Sequence, residues 1–595
     1  MTTGNATFNS EEIMRLEALI HSMEVQNNKG DDATWILTSS FIILTMQTGF
    51  GFLEAGHVHG KHRVNIMMKN VVDVGAAGLA FYILGYGLAY GEPSNWFAGY
   101  GNFLLDGFHK ADNDARGMKL SHYFFQFSFA AASTTIVSGI VAARIKFKAY
   151  ILFSFFNTFS YAIAAHWVWA RGGWLYEEGY VDFAGDGPVH LLGGVSGLVC
   201  TYVLGPRAGR FEPATRDIVR SGGDPTHALV GLFMLWWGWL GFNCGSSFGI
   251  SDNKWLVATR ASVNTVNGSI GGALFGSLYS MYFYRGHFTV DVMVNTILGG
   301  LVAITSGCAY ITPHESIFIG AIGGVFAMRT GSLLERLEID DPVGGVGVHC
   351  SAAIWGLIAT GLFADKSLLM GQGKDELAMD GLLRGGGLHL LAVQLSGVAA
   401  IMAWGVVSSL AIMGFVQLVV PLRVSPGHEE RGLDLTEHLV GVLDRSVDFE
   451  ASPTLRRSGS PPSSPGVLGI SQTSTPPHLE IKMMGDFQLT EAGTAEAGGL
   501  FGDIWERGVV EPPRSSQHKP KKDDSVLPAS KGLDVEQAGT VIMGDTRHHG
   551  VEETSTRMRS APKTLWLTQA LGCCEARLDM PRAEEELTRV EGPPV

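Results

Sequence analysis

The chain has 595 residues, a formal net charge of −14 and a hydrophobic content of 46%. Its mean hydropathy of +0.17 averages two unlike regions, long apolar runs from Trp35 to about Pro421 and a polar remainder rich in Ser, Pro and charge. Apolar spans of that length exclude a soluble body and read as an all-α polytopic membrane protein. Of six cysteines, Cys200, Cys244, Cys308 and Cys350 sit in or beside apolar runs, which excludes a disulfide scaffold.

Residues 1–33 are polar, show no signal-peptide pattern, and read as an extracellular N-terminal segment. Residues 34–420 then divide into eleven predicted helices: 34–56, 64–90, 120–142, 147–169, 187–205, 225–247, 255–283, 288–309, 313–333, 342–363 and 387–420. Each is long enough to cross a hydrocarbon core of about 30 Å. Short loops on one side carry Lys61, Arg63, Arg144, Lys146, Lys148, Arg207, Arg210 and Arg285, whereas the other side holds the acidic YEEGYVD (176–182). The positive-inside rule then puts the N-terminus outside and the C-terminus in the cytosol. Residues 421–595 read as a cytosolic regulatory tail, mostly disordered for want of apolar periodicity.

Two stretches carry the chemistry. DFAGDGPVH (182–190) and DPVGGVGVH (341–349) share the pattern D-x-x-G-x-x-x-V-H, and each opens a predicted span. Five spans separate their starts, so the second copy begins on the opposite membrane face, as in the inverted repeats of transporters. His190 and His349 would then meet near the bundle centre. A histidine at that depth is costly and calls for a function, although each could instead bond a backbone carbonyl, or the pair could ligate a metal or haem. Two aromatic segments stand out beside them, FFQFSFAAA (124–132) and LWWGWLGFNCGSSF (235–248). Aromatic rings serve in packing, but they also build hydrophobic constrictions and cation–π sites.

Together these segments resemble the ammonium transporter (Amt/Mep/Rh) family, in its eukaryotic, plant-like Amt branch. The matching pieces are TGFGFLEAG (48–56), FQFSFA (125–130), AHWVW (165–169), DFAG with Val189-His190, WLGFNCGS (239–246), ASVNT (261–265) and DDPVGGVGVH (340–349). The resemblance implies a homotrimer of eleven-helix protomers, each with its own pore, and no cofactor, metal or catalytic residue. By motif position it implies ammonium recruitment at Trp169, Phe129 and Ser246, with Asp182 supporting the site. It further implies a phenylalanine gate at Phe129 and Phe242, and His190 and His349 as pore histidines. One departure is ARGGW (170–174), which puts Arg171 near the entrance and makes Trp174 a rival to Trp169.

In the tail, RGLDLTEH (431–438) is similar to the segment that plant relatives place after the last span, which makes Thr436 the candidate phosphorylation site for a protein kinase. The expected partners are ammonium or ammonia, methylammonium as a substitute, the plasma-membrane bilayer and further copies of the chain, with no nucleic acid. An ammonium sensor signalling through the tail is the alternative reading, and a haem-dependent membrane redox enzyme a more distant one.

Overall fold

A computed structural model describes residues 10–220, 222–368 and 379–441, all within one compact unit, Met1–Pro461. Every long element among these residues is a helix. We number them α1 (Ser10–His57), α2 (Arg63–Ala80), α3 (Asn113–Ile140), α4 (Phe147–Trp169), α5 (Leu192–Leu204), α6 (Pro225–Gly245), α7 (Lys254–Phe283), α8 (Val290–Thr305), α9 (Pro313–Arg336), α10 (Ala352–Phe363), α11 (His389–Val419), α12 (Pro426–Arg431) and α13 (Leu433–His438). A wide turn, Phe81–Gly85, extends α2 to Tyr90.

Each of the eleven predicted stretches falls on one of α1–α11. Among the described residues, seven helices are long and apolar enough to cross a membrane, and two shorter apolar helices accompany them. The protein is a multi-pass membrane protein. One boundary departs from the sequence reading: α1 begins at Ser10 rather than near residue 34. Glu11 and Glu12 favour its positive N-terminal end, and residues 11–24 are mostly good helix formers, so the polar segment continues the span without a break. The disorder expected of the tail falls on residues 442–595, outside those described.

Local chemistry sets several helix starts. Asp224 accepts from the amides of Thr226 and His227 ahead of α6, with Pro225 at the first position. Thr312 and Glu315 form a reciprocal capping box at α9. Without a hydrophobic drive between helices in lipid, close packing depends on small residues. A Cβ on Gly320 of α9 would lie 2.0 Å from the Gly268 carbonyl oxygen of α7, a contact only glycine permits.

The ionisable groups buried between α1, α2, α3 and α4 form a network. Ser138 and Asn70 donate to the Glu54 carboxylate at 2.6 and 3.0 Å, and Lys69 donates to the Ser138 carbonyl at 3.0 Å. Tyr150 donates to Asp73. Leaving any one of these unpaired in a dry bundle would be costly, so they tie four helices together.

Candidate functional site: an aromatic vestibule above a histidine pair

The two repeated motifs fold alike. In the first, the Asp182 carboxylate accepts from the amides of Gly185, Asp186 and Gly187 at 2.7–2.9 Å. In the second, Asp341 accepts from Val343 and Val346 at 3.2 and 2.8 Å. The glycine three residues after each aspartate has a positive φ, 91° at Gly185 and 73° at Gly344, which a side chain would oppose. Each cap then leads into a π-helical turn, Asp186–Leu191 before α5 and Gly347–Ser351 before α10. Such wide turns recur at functional sites, and each of these carries one histidine.

The two aspartates stand at different cavities. Asp182 lines one of about 220 Å³ with Phe125, Phe129, Trp169, Ser246 and Tyr310. Asp341 lines another of about 740 Å³ with His57, Arg207, Arg210 and Asn295. Neither histidine of the motifs lines either cavity. The Nδ1 atoms of His190 and His349 are 3.2 Å apart, and both side chains are buried. Gly194 permits this approach, since a Cβ there would stand 2.5 Å from the Cys350 backbone nitrogen.

A hydrogen bond between two Nδ1 atoms requires one to donate and the other to accept. The outer nitrogens follow: one Nε2 presents a lone pair and the other an N–H. The Nε2 of His190 has no hydrogen-bond partner among the described residues, which leaves it open to a small ligand. Trp239 lies flat against His190, with centroids 5.0 Å apart and planes at 15°, and its indole N–H donates to Thr305 at 2.9 Å. That stacking fixes the imidazole, and sequence reading placed no role on Trp239.

At the Asp182 end, the rings of Phe129 and Phe242 stack 3.9 Å apart at 11°. Trp169 meets Phe129 edge to face at 6.0 Å and donates its indole N–H to the Asp182 carbonyl at 2.9 Å. Asp182 thus holds both the backbone of the π-turn and the ring above it. The Ser246 hydroxyl donates to the Phe242 carbonyl at 2.9 Å, which leaves its oxygen as an acceptor toward the cavity. Below the stack, Phe242 is 5.4 Å from His190.

All six residues expected at the vestibule, gate and pore therefore converge, with Asp182 bracing them. Arg171 and Trp174 do not join. Arg171 is exposed, and Trp174 packs on Trp167 at 6.1 Å, away from the cavity lining. The cavity also includes Tyr90, His122 and Gln126, which sequence reading passed over. Their spacing on α3 gave one signal, since His122, Phe125, Gln126 and Phe129 fall on a single helical face.

The chain is similar to known proteins. The Ammonium Transporter Family model matches residues 34–441. The chain belongs to that family. It is 41% identical over 424 residues to putative ammonium transporter 3 of Caenorhabditis elegans, a match covering 70% of this chain and 61% of that relative. Ammonium transporter 3 of Dictyostelium discoideum is 35% identical, with 68% and 93% covered. Ammonium transporter 1 member 1 of Arabidopsis thaliana is also 35% identical, with 71% and 87% covered. Among solved structures, a sensor Amt protein aligns with a TM-score of 0.62 at 29% identity, covering 69% of this chain and 99% of its own. Mep2 from Candida albicans aligns at 0.58 and 25% identity, covering 66% and 86%.

The folded start of the tail bears on Thr436. In α13 its hydroxyl donates to the Gly432 carbonyl at 2.9 Å, and the side chain is half-buried. Two residues earlier, Asp434 accepts from the first amides of α2, Val64 at 3.1 Å and Asn65 at 2.7 Å. His438 also meets Asn65, at 3.0 Å. The tail thus caps α2 of its own chain.

Proposed function

We propose that this protein is an ammonium transporter that recruits the ion at Trp169, Phe129 and Ser246 and passes ammonia over the histidine pair. The observation that carries the reading is the order of parts: an aromatic cavity, a stacked phenylalanine constriction, then two hydrogen-bonded imidazoles. Ammonium gains about 0.5–2 kcal/mol from an aromatic face, enough to be held and weak enough to be released. It donates a hydrogen bond to the Ser246 oxygen, which Na⁺ cannot do. Bare charge in the dry segment below costs several kcal/mol, so the ion sheds its proton and crosses as ammonia. The lone pair and N–H offered by the two Nε2 atoms suit a molecule that both donates and accepts.

The same reading takes all eleven helices as crossings of the plasma membrane, with the Trp169 vestibule outside, the tail in the cytosol, and three protomers each carrying a pore. Phosphorylation of Thr436 by a protein kinase would add charge beside the Asp434 cap and release the tail. The sensor alternative draws on the same pore, and no additional feature favours it. Haem ligation between the facing Nδ1 atoms fits poorly, because metal–imidazole bonds of about 2.0–2.1 Å need more room than their separation gives. The test is uptake and current measured together in a host lacking its own ammonium carriers; absence of ammonium-dependent uptake at normal surface expression would sink the proposal.

A further inference from the structure

Asp186 opens the π-turn that carries His190, and nothing in the transport reading uses it. Its side chain is fully buried, and among the described residues neither carboxylate oxygen has a partner at full hydrogen-bond geometry, the nearest donors being the Ser306 amide and hydroxyl. Asp182, four residues earlier, receives three backbone amides. The Asp186 carboxyl is wedged between α8 and α10: one oxygen lies 2.2 Å from where a Cβ on Gly356 would stand, and the Ala303 carbonyl oxygen 2.6 Å from that same point.

A second orphan lies close by. The Tyr180 hydroxyl is buried without a partner, and it and the Asp182 carboxylate each stand 3.1 Å from the Cβ position of Gly187. Behind the turn the chain thus gathers a phenol, a satisfied carboxylate and an unsatisfied one. Facing groups on the neighbouring helices carry no charge: Ser306 after α8, hydrogen-bonded to Thr360 of α10, and Ile401 of α11 near Gly187. The titratable groups facing Asp186 are the Asp182 carboxylate and the Tyr180 phenol, and Asp182 in turn acts on Cys308 and Tyr310. Among the described residues no cation neutralises Asp186. An orphaned polar group at such depth calls for a proton, a water or an ion.

We propose that Asp186 is a proton-carrying residue of the transport cycle, a conclusion that rests on the transport reading above. At rest it holds a proton, because a bare carboxylate with only the neutral Ser306 groups beside it and the Asp182 carboxylate near is disfavoured there. In the cycle the acid releases that proton toward the histidine pair, with water as the carrier. Ammonium arriving at the Asp182 end then gives up one proton and becomes ammonia, and the Asp186 carboxylate takes that proton up. Each turn moves one neutral ammonia through the pore and one proton along the acid route, so charge and atoms balance.

Asp186→Asn separates this role from a structural one, since an amide replaces a neutral acid in shape and donor capacity but cannot cycle a proton. Methylammonium uptake and current are recorded in the same cells across pH 5.5–8 for wild type, Asp186→Asn and Asp186→Ser. The charge moved per substrate taken up is expected to fall at least about tenfold in both variants, with the current losing its pH dependence. An unchanged ratio and pH profile in either variant at the cell surface would overturn the proposal, as would wild-type uptake without current. Wild-type protein with no uptake at all would instead remove the transport reading beneath it.

Discussion

Trp239 and His190 lie face to face, 5.0 Å between centroids, while the Nδ1 of the same imidazole contacts that of His349. The tryptophan is itself fixed by its bond to Thr305. His190 is thereby held in one plane by a ring and in one tautomeric relationship by a second histidine. A ligand sliding past meets a rigid nitrogen rather than a side chain that must first be ordered.

Removing that nitrogen has a defined cost. His190→Ala takes away the nitrogen proposed to meet ammonia and leaves the His349 Nδ1 buried without its partner, a penalty of about 1–3 kcal/mol. Ammonium uptake is expected to fall roughly 5-fold to 150-fold. Initial rates with labelled methylammonium check this, and uptake at wild-type rates would remove His190 from the conduction path.

Trp169→Leu keeps an apolar wall but loses the π face and the indole bond to the Asp182 carbonyl. The half-saturating ammonium concentration is expected to rise between about 2-fold and 30-fold, as the energy of a cation–π contact implies. The same change at Trp174, which faces Trp167, should leave that concentration where it was. Concentration series on both variants distinguish the two tryptophans.

Gly194 is the point at which the two repeats touch. Gly194→Ala forces a methyl against the Cys350 backbone nitrogen and drives the π-turns apart, at about 1–3 kcal/mol for overpacking. Thermal unfolding of the detergent-purified protein should shift downward and uptake should fall with it. A variant that unfolds and transports like wild type would mean that the histidine contact does not depend on this close approach.

Acid should loosen the tail. Burial lowers the His438 basicity and nearby Lys69 adds to this, while Asp434 and Glu437 oppose it. Its folded pKa lies below the unfolded value of about 6.5, so the docked state binds fewer protons than the released one. The contribution to docking is full above about pH 6.5 and declines as pH falls. Protection against hydrogen exchange over residues 433–438, taken relative to the intrinsic rate at each pH, should fall between pH 7.5 and 5.5, and His438→Gln should abolish that dependence.

Thr436→Asp tests the switch. A carboxylate there adds a second negative charge two residues from Asp434 in a half-buried position, which should weaken the cap on α2 and reduce uptake several-fold, by about 1 kcal/mol or more. Uptake equal to wild type would leave Thr436 as an ordinary helix residue.

Much of this was legible in the chain itself. The D-x-x-G-x-x-x-V-H pattern located both histidines, because a cap, a positive-φ glycine and a pore ligand at fixed offsets leave little freedom in residue type. The aromatic runs offered a constriction and a cation–π site only in outline, and the resemblance alone pointed to Trp169, Phe129, Ser246 and Phe242. What stayed hidden depends on contacts distant in sequence. No periodicity distinguishes a π-turn from an α-turn over five residues, so the widened backbone under His190 and His349 was invisible. The partners of Glu54 lie on α2 and α3, and Trp239 reads as one packing aromatic among several. The early start of α1 was missed because polar residues suggested a loop, whereas their helix propensity decides their local form. Trp174 showed the converse: a plausible residue type near the site, turned elsewhere by its neighbours.

The bond from Asp434 to the start of α2 has a practical consequence. The second helix borrows its cap from a residue about 370 positions downstream. Residues 433–438 therefore belong to the membrane body in every respect except sequence order. A fluorescent reporter joined after residue 441 would leave that clasp closed. One joined before residue 433 would unseat a helix at the far end of the chain.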